Sequence, residues 1–405
     1  MTVSESSQVL VVNIGSSSLK YDVWAAPDVA APFLRVATGL VERIGQSGGR
    51  HTHRVDGAEP VVAEGDVADH RHAVALMLDC HGSALANLLA IGHRVVHGGE
   101  RYQAPTVIDD AVESGIDQLS VLAPLHNPPE LVGIRTLRAA YPRIAHVAVF
   151  DTAFHATLPP EASTYAIPPD LARQHGIRRW GFHGTSHQYV TRVAADFLGV
   201  PVDDVGLVIC HVGNGVSLTA VRGGRSIDTS MGMTPLEGLV MGTRSGDLDP
   251  AVVTHLQRQA GMGAQEVDSL LTTGSGLRGL CGDSDVRSVR ARARDGDAAA
   301  QLALDVYAHR LRKYLGAYLA QVPQLHAVVF TAGVGENDPL LRRAVIEPLA
   351  HLGLRLDDSA NASAVGPTEP VRIDDGTGRA AVLVVPTDES AEICRSTVAV
   401  VTGHG

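Results

Sequence analysis

Lysine is nearly absent from this chain: of 33 basic residues only Lys20 and Lys313 are lysines, and arginine takes the other cationic positions. A lysine kept against such a bias indicates a place where a compact ammonium does what a forked guanidinium cannot, such as contacting a phosphoryl oxygen in a tight pocket. Lys20 is therefore a candidate functional residue. The alternative interpretation is a surface hairpin with a solvated lysine.

Cysteine is also scarce and widely spaced. The four thiols, at Cys80, Cys210, Cys281 and Cys394, show neither the paired spacing of a metal site nor a disulfide framework. The 19 histidines form no H-E-x-x-H or comparable ligand spacing. The sequence therefore predicts ordinary reduced, partly buried cysteines and argues against a zinc enzyme.

Basic blocks and long apolar runs are missing as well. The net charge of −11 argues against a nucleic acid partner, and no apolar run approaches the roughly 18 residues that would span a bilayer. The polar start, residues 1–8, lacks the apolar region of a signal peptide. With 405 residues, 45% of them hydrophobic, we expect two or three domains and a cytoplasmic protein with no membrane partner.

Neither of two common nucleotide-binding motifs indicates a nucleotide site in this sequence. No G-x-x-x-x-G-K-[ST] occurs, which excludes a P-loop NTPase. The segment from Gly274 to Gly279 matches the dinucleotide fingerprint G-x-G-x-x-G, but it follows a polar helical stretch instead of a strand. We expect this segment to be a loop.

The chain does contain an alternation of apolar, β-branched runs with helical patterns, which is typical of an α/β architecture. The predicted strands include residues 92–96, 146–150, 205–212, 326–331 and 380–386, and the longest predicted helices are residues 302–321 and 390–401.

Two stretches repeat one pattern, a strand, a turn of small residues and a returning strand. The first runs through residues 8–13, 15–18 and 19–25, and the second through 207–212, 213–215 and 216–221, with a third strand at 226–228. Such turns point backbone N–H groups at a small anion. The repeat predicts two similar domains, each offering a phosphate loop to a shared cleft.

A third glycine-rich element, residues 328–339, runs from a buried strand into a turn and a helix. This arrangement places helix N–H groups near the phosphates or ribose of a nucleotide. A strand-to-helix connection that needs glycine only for close packing would look the same.

Charged side chains follow several predicted strands. Arg94 is flanked by aliphatic residues in GHRVVHGGE, which suits a guanidinium that grips a carboxylate or phosphate. Asp151 ends an apolar strand, where an open α/β sheet presents its site. Arg244, in MGTRSGDLDP, is either catalytic or paired with Asp247 or Asp249 in a structural loop.

Two further positions leave alternatives open. His183 lies between an aromatic residue and a glycine, and a lone histidine of this kind is more often structural than functional. The acidic cluster that includes Asp388 and Glu389 opens a helix, so it is either a cap or, through Glu389 with Asn13 and nucleotide phosphates, a magnesium site.

Taken together, these motifs resemble the acetate kinase family. The segments VVNIGSSSLK, GHRVVHGGE, APLHNPP, VFDTAFH, GFHGTSH, HVGNGVSLTAV, MGTRSGDLDP, FTAGVGEN and VVPTDE occur in the family's order and cover residues 9 to about 397. The resemblance implies an α/β fold of two duplicated actin- and sugar-kinase-like (ribonuclease H-like) domains with a nucleotide cleft between them. Residues 1–153, completed by a C-terminal helix at 387–405, would bind acetate and phosphate, and residues 154–386 would bind the nucleotide.

The resemblance also implies a role for individual residues. The catalytic group would be Asp151, His183 and Arg244, and acetate would contact Arg94, His126 and a methyl pocket formed by Val96, Leu125, Phe182 and Pro235. Phosphates and nucleotide would contact Ser16, Ser18, Lys20, His211, Val212, Gly213, Asn214, Gly215, Asp285, Val286, Arg287, Gly333, Val334, Gly335, Glu336 and Asn337. Asn13 and Glu389 would bind Mg²⁺, which Mn²⁺ could replace.

The implied reaction is reversible transfer of the γ-phosphoryl group of ATP to acetate, giving acetyl phosphate and ADP, by a homodimeric phosphotransferase with a carboxyl acceptor. One rival is a kinase for propionate or butyrate, since one methylene changes binding in such a pocket by only about 1–3 kcal/mol. The other is a non-catalytic nucleotide switch of the actin and chaperone type, which would not need Arg94, Arg244 and His183.

Overall fold

A computed structural model describes residues 7–26, 33–81 and 87–403. The chain forms two compact units, Met1–Phe154 with Asp388–Gly405, and His155–Thr387. Residues 1–6 of the polar start lie outside the described ranges. No helix in those ranges is long and apolar enough to cross a membrane.

The two units contain fourteen described strands and fifteen described α-helices. The strands are β1 Gln8–Ile14, β2 Ser18–Ala25, β3 Leu34–Glu42, β4 Arg50–Val55, β5 Val61–Glu64, β6 Leu88–Val95, β7 Thr106–Val107, β8 Ala145–Phe150, β9 Gly206–Val212, β10 Val216–Arg222, β11 Arg225–Thr229, β12 Ala327–Thr331, β13 Val371–Arg372 and β14 Ala381–Val384. The helices are α1 His70–His81, α2 Asp110–Gln118, α3 Asn127–Ala140, α4 Pro160–Ser163, α5 Pro169–His175, α6 Gly184–Leu198, α7 Ala251–Gln259, α8 Ala264–Thr273, α9 Gly276–Cys281, α10 Val286–Arg294, α11 Ala298–Leu319, α12 Ala332–Gly335, α13 Pro339–Ile346, α14 Asp358–Ser363 and α15 Glu389–Thr402.

The two sheets share one topology. The first unit has the strand order β5-β4-β3-β2-β1-β6-β8-β7, and the second has β11-β10-β9-β12-β14-β13. In each sheet an antiparallel run of three strands (β3-β2-β1 or β11-β10-β9) is followed by two parallel strands and an antiparallel edge strand. Six strands therefore match in order and direction, which confirms the duplicated α/β fold expected from the two hairpins.

The predicted elements occur with small shifts at their ends. Helix α11 begins before the predicted residue 302 because the Asp297 side chain caps it, accepting the Ala299 and Ala300 N–H groups at 2.9 and 3.1 Å. The cysteines are free thiols: Cys210 and Cys394 are buried, and Cys80 is exposed.

Strand β1 shows why the first unit needs helices on both faces. Its side chains alternate, so that Leu10 and Val12 enter one core cluster while Val9 and Val11 enter another with Ile393 of α15. The C-terminal helix thus covers the face formed by the first strand.

The α15 helix approaches β6 at a glycine. A Cβ on Gly92 would lie 2.4 Å from Thr397 Oγ1 and 2.9 Å from Ile393 Cγ2. Because such contacts are too short for any side chain, the close packing of α15 requires glycine at this position.

Candidate active site

Arg94 and Asp151 form the centre of the site in the first unit. They lie at the ends of the neighbouring parallel strands β6 and β8, whose carboxyl ends meet at one edge of the sheet. Arg94 Nε donates to Asp151 Oδ1 at 3.1 Å, and Arg94 Nη2 pairs with Asp151 Oδ2. Asp151 is buried, whereas the Arg94 side chain keeps 18% of its surface exposed. This two-point contact fixes the plane of the guanidinium.

Asn13 and Glu389 contact the same guanidinium. Arg94 Nη1 donates to Asn13 Oδ1 at 3.2 Å, and Glu389 Oε2 lies 3.9 Å from Arg94 Nε. Burial lowers the pKa of Arg94, but the carboxylates of Asp151 and Glu389 outweigh burial and raise the net pKa. Arg94 therefore stays charged, with the oxygens of Asn13 and Glu389 beside it.

The two interpretations of the acidic cluster at the start of α15, a helix cap and a magnesium site, concern different residues. Asp388 is the N-cap, because its Oδ1 accepts the Ala391 N–H at 3.0 Å, and it also pairs with Arg35. Glu389 is the next residue and lies near Arg94 instead. The cap is thus Asp388, and Glu389 is left for another role.

The first hairpin brings Lys20 opposite Asn13 in the register of β1 and β2. Directly paired residues of an antiparallel ladder lie on one face, so the ammonium and the amide share a face. Lys20 is exposed and has no ion pair within residues 7–26, 33–81 and 87–403. Ser16 is exposed and Ser18 is half-buried in the same turn, where the His70 side chain bonds the Gly15 carbonyl at 2.9 Å.

Three residues expected to surround acetate lie beyond Arg94 in the first unit. Val96 is buried, and its N–H donates to Glu130 Oε2 at 3.1 Å. His126 precedes α3 as its N-cap. Leu125, by contrast, is 61% exposed, so in this unit Val96 is the enclosed apolar side chain of the predicted methyl pocket.

In the second unit, Arg244 is half-buried and has no carboxylate partner among the described residues. Its Nη1 donates to the Pro235 carbonyl at 3.3 Å. Asp247 instead accepts from Tyr314 and from the Gly238 N–H, at 2.6 and 2.8 Å. The alternative of an Arg244–Asp247 pair is therefore wrong.

The other proposed partner is likewise engaged elsewhere. Asp249 Oδ1 accepts the Ala251 N–H at 2.9 Å, at the start of α7. Burial lowers the pKa of Arg244. A guanidinium that is partly removed from water and lacks a countercharge favours binding of an anion.

The prediction of a loop from Gly274 to Gly279 is wrong, because helix α9 begins at Gly276. Gly276 has φ +65°, and a Cβ there would lie 2.2 Å from the Met241 carbonyl oxygen. Ser275 N donates to the Thr243 carbonyl, and Leu277 N to the Met241 carbonyl, both at 3.0 Å. This segment therefore supports the backbone that carries Arg244.

His183 adopts a backbone conformation that is strained for a residue with a side chain. Its φ is +56°, and it is the N-cap of α6. The ring stacks on His211 with centroids 4.2 Å apart. A Cβ on Gly215 would lie 3.2 Å from His183 Nε2 and 3.5 Å from Arg244 Nη1. Glycine therefore lets the imidazole and the guanidinium approach the same point of the chain.

Phe182 and Pro235, expected in the methyl pocket, also belong to the second unit. Phe182 is buried, and its carbonyl bonds His155 Nε2 at 2.9 Å. Pro235 is half-buried beside Arg244.

A cavity of about 1020 Å³ opens in the second unit. Eight of the predicted nucleotide contacts line it: Gly213, Asn214, Asp285, Val286, Arg287, Gly333, Val334 and Asn337. Asp285 caps α10, because its Oδ1 accepts the Arg287 N–H at 2.9 Å. The cavity is large enough for a drug-sized ligand such as a nucleotide.

Five other predicted nucleotide contacts are not among the residues that line this cavity: His211, Val212, Gly215, Gly335 and Glu336. Glu336 Oε1 accepts the N–H groups of Ala332 and Thr387 at 2.7 and 3.0 Å. Ala332 has φ +66°, so Glu336 stabilises a strained turn next to the cavity.

The sequence alone did not indicate Glu130, Ser217 or His187 as candidate site residues. All three are buried polar residues in the interior of an element, and none belongs to a glycine-rich turn. Burial raises the pKa of Glu130 to about 8, against the lowering effects of Arg94 and of the Val96 N–H. One sequence signal could have identified such residues, namely a polar side chain inside an otherwise apolar element. Ser217 among the apolar residues of β10 is an example.

The duplicated α/β fold is shared with kinases of known structure, and it is consistent with duplicated actin- and sugar-kinase-like domains. Two solved structures are similar along nearly their whole length. A propionate kinase from Francisella tularensis has a TM-score of 0.90 and 37% identity, covering 96% of this chain and 99% of that one. The Porphyromonas gingivalis acetate kinase has a TM-score of 0.88 and 38% identity, covering 96% and 98%.

Sequence comparison identifies the family. The Acetokinase family model matches residues 8–395. An acetate kinase of Leifsonia xyli is 54% identical over 396 residues, covering 96% of this chain and 98% of that one. An acetate kinase of Streptomyces griseus is 52% identical over 409 residues, covering 99% and 98%. The chain belongs to the Acetokinase family.

Proposed function

We propose that this protein is an acetate kinase, which transfers the γ-phosphoryl group of ATP to acetate and forms acetyl phosphate and ADP reversibly. Family membership and the two relatives named acetate kinase support the reaction. The observation that carries the proposal is Arg244, a half-buried guanidinium with no carboxylate partner among the described residues. A non-catalytic nucleotide switch would have no use for such a group.

Arg94 would hold the acetate carboxylate. Acetate is ionised at pH 7, because carboxylic acids of this kind titrate near the aspartate reference of about 3.9. No general base is therefore needed to make the nucleophile. The task is to orient two anions for in-line transfer, and Asp151 serves it by holding the Arg94 guanidinium at two points. We assign Asp151 this positioning role in preference to proton transfer.

Arg244 and His183 would stabilise the transferred phosphoryl group. Charge spreads over three oxygens in the transition state, and fixed donors stabilise it without having to reorganise. Both side chains approach Gly215, whose lack of a side chain leaves room for the phosphoryl group. In the reaction an acetate oxygen bonds to the γ-phosphorus as the bond to the ADP oxygen breaks.

The second unit would bind the nucleotide in its cavity, between the 213–215 turn, the start of α10 and the 333–337 segment. The first unit would bind acetate and, through Ser16, Ser18 and Lys20, phosphate oxygens. This division corresponds to a nucleotide-binding domain over 154–386 and an acetate-binding domain over 1–153 with 387–405.

Mg²⁺ would be held by Asn13 and Glu389, with Mn²⁺ as a replacement. Their oxygens are of the kind that Mg²⁺ binds, an amide and a carboxylate oxygen that each lie beside Arg94, and Mg²⁺ uses few protein ligands beside waters and phosphates. Within the described residues no three His, Cys, Asp or Glu side chains cluster to hold a metal alone. The ion would neutralise charge on the nucleotide phosphates.

The methyl pocket leaves a second substrate to test. Val96 closes the pocket in the first unit, whereas Leu125 is exposed, and a similar structure is that of a propionate kinase. We propose acetate as the preferred acid and propionate as a weaker one. We also propose that the protein forms a symmetric homodimer, which is the commonest oligomer. We propose a cytoplasmic location, where ATP is supplied.

Hydroxylamine trapping of the acyl phosphate tests the reaction directly. The protein is supplied with ATP and Mg²⁺ and with acetate, propionate or butyrate in parallel. We expect the highest kcat/KM with acetate. A higher value with propionate would keep the mechanism and change the substrate, whereas ATP binding without any acyl phosphate would overturn the proposal.

A further inference from the structure

The hydroxyl of Ser217 bridges two histidines in the core of the second unit. Ser217 is fully buried in β10, and its Oγ lies 3.0 Å from His183 Nδ1 and 2.8 Å from His187 Nε2. A hydroxyl has one hydrogen to donate. The two ring nitrogens are its side-chain partners among the described residues, and a buried hydroxyl hydrogen without an acceptor is costly. The hydroxyl therefore donates to one ring and accepts from the other, which couples the protonation of the two rings.

His187 decides the direction of this chain of hydrogen bonds. It is fully buried, and burial lowers its pKa well below 6.5, with His155 and His211 adding to the effect, so the ring is neutral. Among the residues that the structure describes, none is a hydrogen-bond partner of His187 Nδ1.

A proton on Nδ1 would therefore be a buried N–H without an acceptor, which proteins rarely tolerate. The proton belongs on His187 Nε2, where it is donated to Ser217.

Because Ser217 accepts from His187 Nε2, the acceptor that remains for its own buried hydrogen is His183 Nδ1. We infer that Ser217 and His187 are positioning residues that fix the neutral His183 ring in the tautomer with its proton on Nε2. The inference deepens the proposed function, on which it rests, because it states what His183 presents to the phosphoryl group. If Ser217 instead accepted from His183 and donated to His187, the same number of hydrogen bonds would form. The proton of His187 would then be on Nδ1, where it has no acceptor among the described residues.

The Nε2 atom faces the region where the phosphoryl group is proposed. A Cβ on Gly215 would lie 3.2 Å from His183 Nε2 and 3.5 Å from Arg244 Nη1. A protonated Nε2 adds a second donor beside the guanidinium, whereas a bare nitrogen lone pair would repel a phosphoryl oxygen. The buried relay thus keeps His183 ready to donate without requiring a positive charge on the ring.

The first test reads the tautomer itself. Protein labelled with ¹⁵N in its histidine rings is examined by long-range ¹H–¹⁵N correlation at about pH 9, where an ordinary imidazole is neutral. The His183 signals are assigned by their loss in His183→Asn, since Asn tolerates a positive φ. We expect a pyridine-like Nδ1 and a protonated Nε2 in the unmodified protein, and a mixture of tautomers in Ser217→Ala.

The second test separates positioning from stability. Ser217→Ala should lower kcat about tenfold, the loss of one hydrogen bond, while KM for ATP and for acetate stays within about twofold. Thr219→Val is the matched control. Thr219 is a buried hydroxyl on the same strand and bonds Thr229 Oγ1 at 3.0 Å, so its loss should cost similar stability and leave kcat unchanged.

The outcomes distinguish the two proposals. An active protein whose His183 carries its proton on Nδ1, or a Ser217→Ala variant with unchanged tautomer and kcat, overturns the relay and leaves the kinase reaction in place. A protonated Nε2 in a protein that makes no acyl phosphate supports the relay and overturns the function instead.

Discussion

Arg94 and Asp151, which end two adjacent parallel strands, form a two-point ion pair in which the carboxylate is buried and the guanidinium remains accessible. The pair leaves the Arg94 Nη1 edge beside Asn13. Asp151 therefore fixes the orientation of the Arg94 guanidinium.

Replacing Asp151 with Asn should lower kcat by roughly 10²-fold or more, because breaking a buried ion pair costs about 3–5 kcal/mol and releases Arg94 from its orientation. Initial-rate kinetics of acyl phosphate formation provide the measurement. Asp110→Asn, which weakens the exposed pair with Arg138, should leave kcat unchanged. Near-normal turnover in Asp151→Asn would count against any essential charge at this position.

Replacing Arg244 with Ala should lower kcat by about 10³-fold or more while KM for acetate stays within a few-fold, because the guanidinium acts on charge that develops in the transition state. Arg258→Ala, on the exposed surface of α7, is the control for loss of one positive charge. A change confined to KM would remove Arg244 from the transition state.

Replacing Val96 with Ala should enlarge the acid pocket and raise the kcat/KM ratio of propionate to acetate by about tenfold, the effect of one methylene in an apolar site. Val147→Ala makes the same truncation in the core beside α15 and should leave the ratio unchanged. An unaltered ratio in Val96→Ala would place the methyl group of acetate elsewhere.

Replacing Gly92 with Ala should destabilise the protein by about 1–3 kcal/mol, because the new Cβ would collide with Thr397 of α15. Gly316→Ala, in the interior of α11 with open space around it, should instead stabilise by up to about 1 kcal/mol. Urea unfolding of both variants gives the comparison. Destabilisation by both would show that α15 is not the cause.

Glu130 should make stability depend on pH. Its pKa is about 8 in the folded state against 4.5 for an ordinary glutamate, so between these values the unfolded chain has lost a proton that the folded chain keeps. Raising the pH through this window therefore destabilises the folded state through Glu130.

The measurement is the Tm of Glu130→Gln minus that of the unmodified protein, which should increase from pH 5 to pH 8. The exposed Glu161→Gln variant should show a constant difference. A constant difference in Glu130→Gln as well would mean that the buried carboxyl keeps an ordinary pKa.

Much of the fold could be predicted because the signals are local. The apolar runs of β1 and β9 and the turns of small residues that follow them define each hairpin, and their repetition indicated the duplication. The helix at 276–281 was missed because its start depends on Gly276 packing against the Met241 carbonyl, a contact distant in sequence.

The same distinction applies to the site. Arg94, Asp151 and Arg244 stand in recognisable motifs, but a motif does not state which charges are paired. That Arg244 lacks a carboxylate while Asp247 bonds Tyr314 is a matter of tertiary structure. The buried hydrogen bond between Ser217 and His187 joins residues that are 30 positions apart in the chain, which no local pattern records.

The position of α15 determines when the first unit can be completed during synthesis. Chains fold from the N-terminus as they are made, and residues 155–387 of the second unit are contiguous. Val9 and Val11, however, pack against Ile393 and Val398, which are translated after the whole of the second unit. Strand β1 therefore gains its α15 partner only after the second unit has been synthesised, so the first unit closes this part of its core after the second unit is complete in sequence.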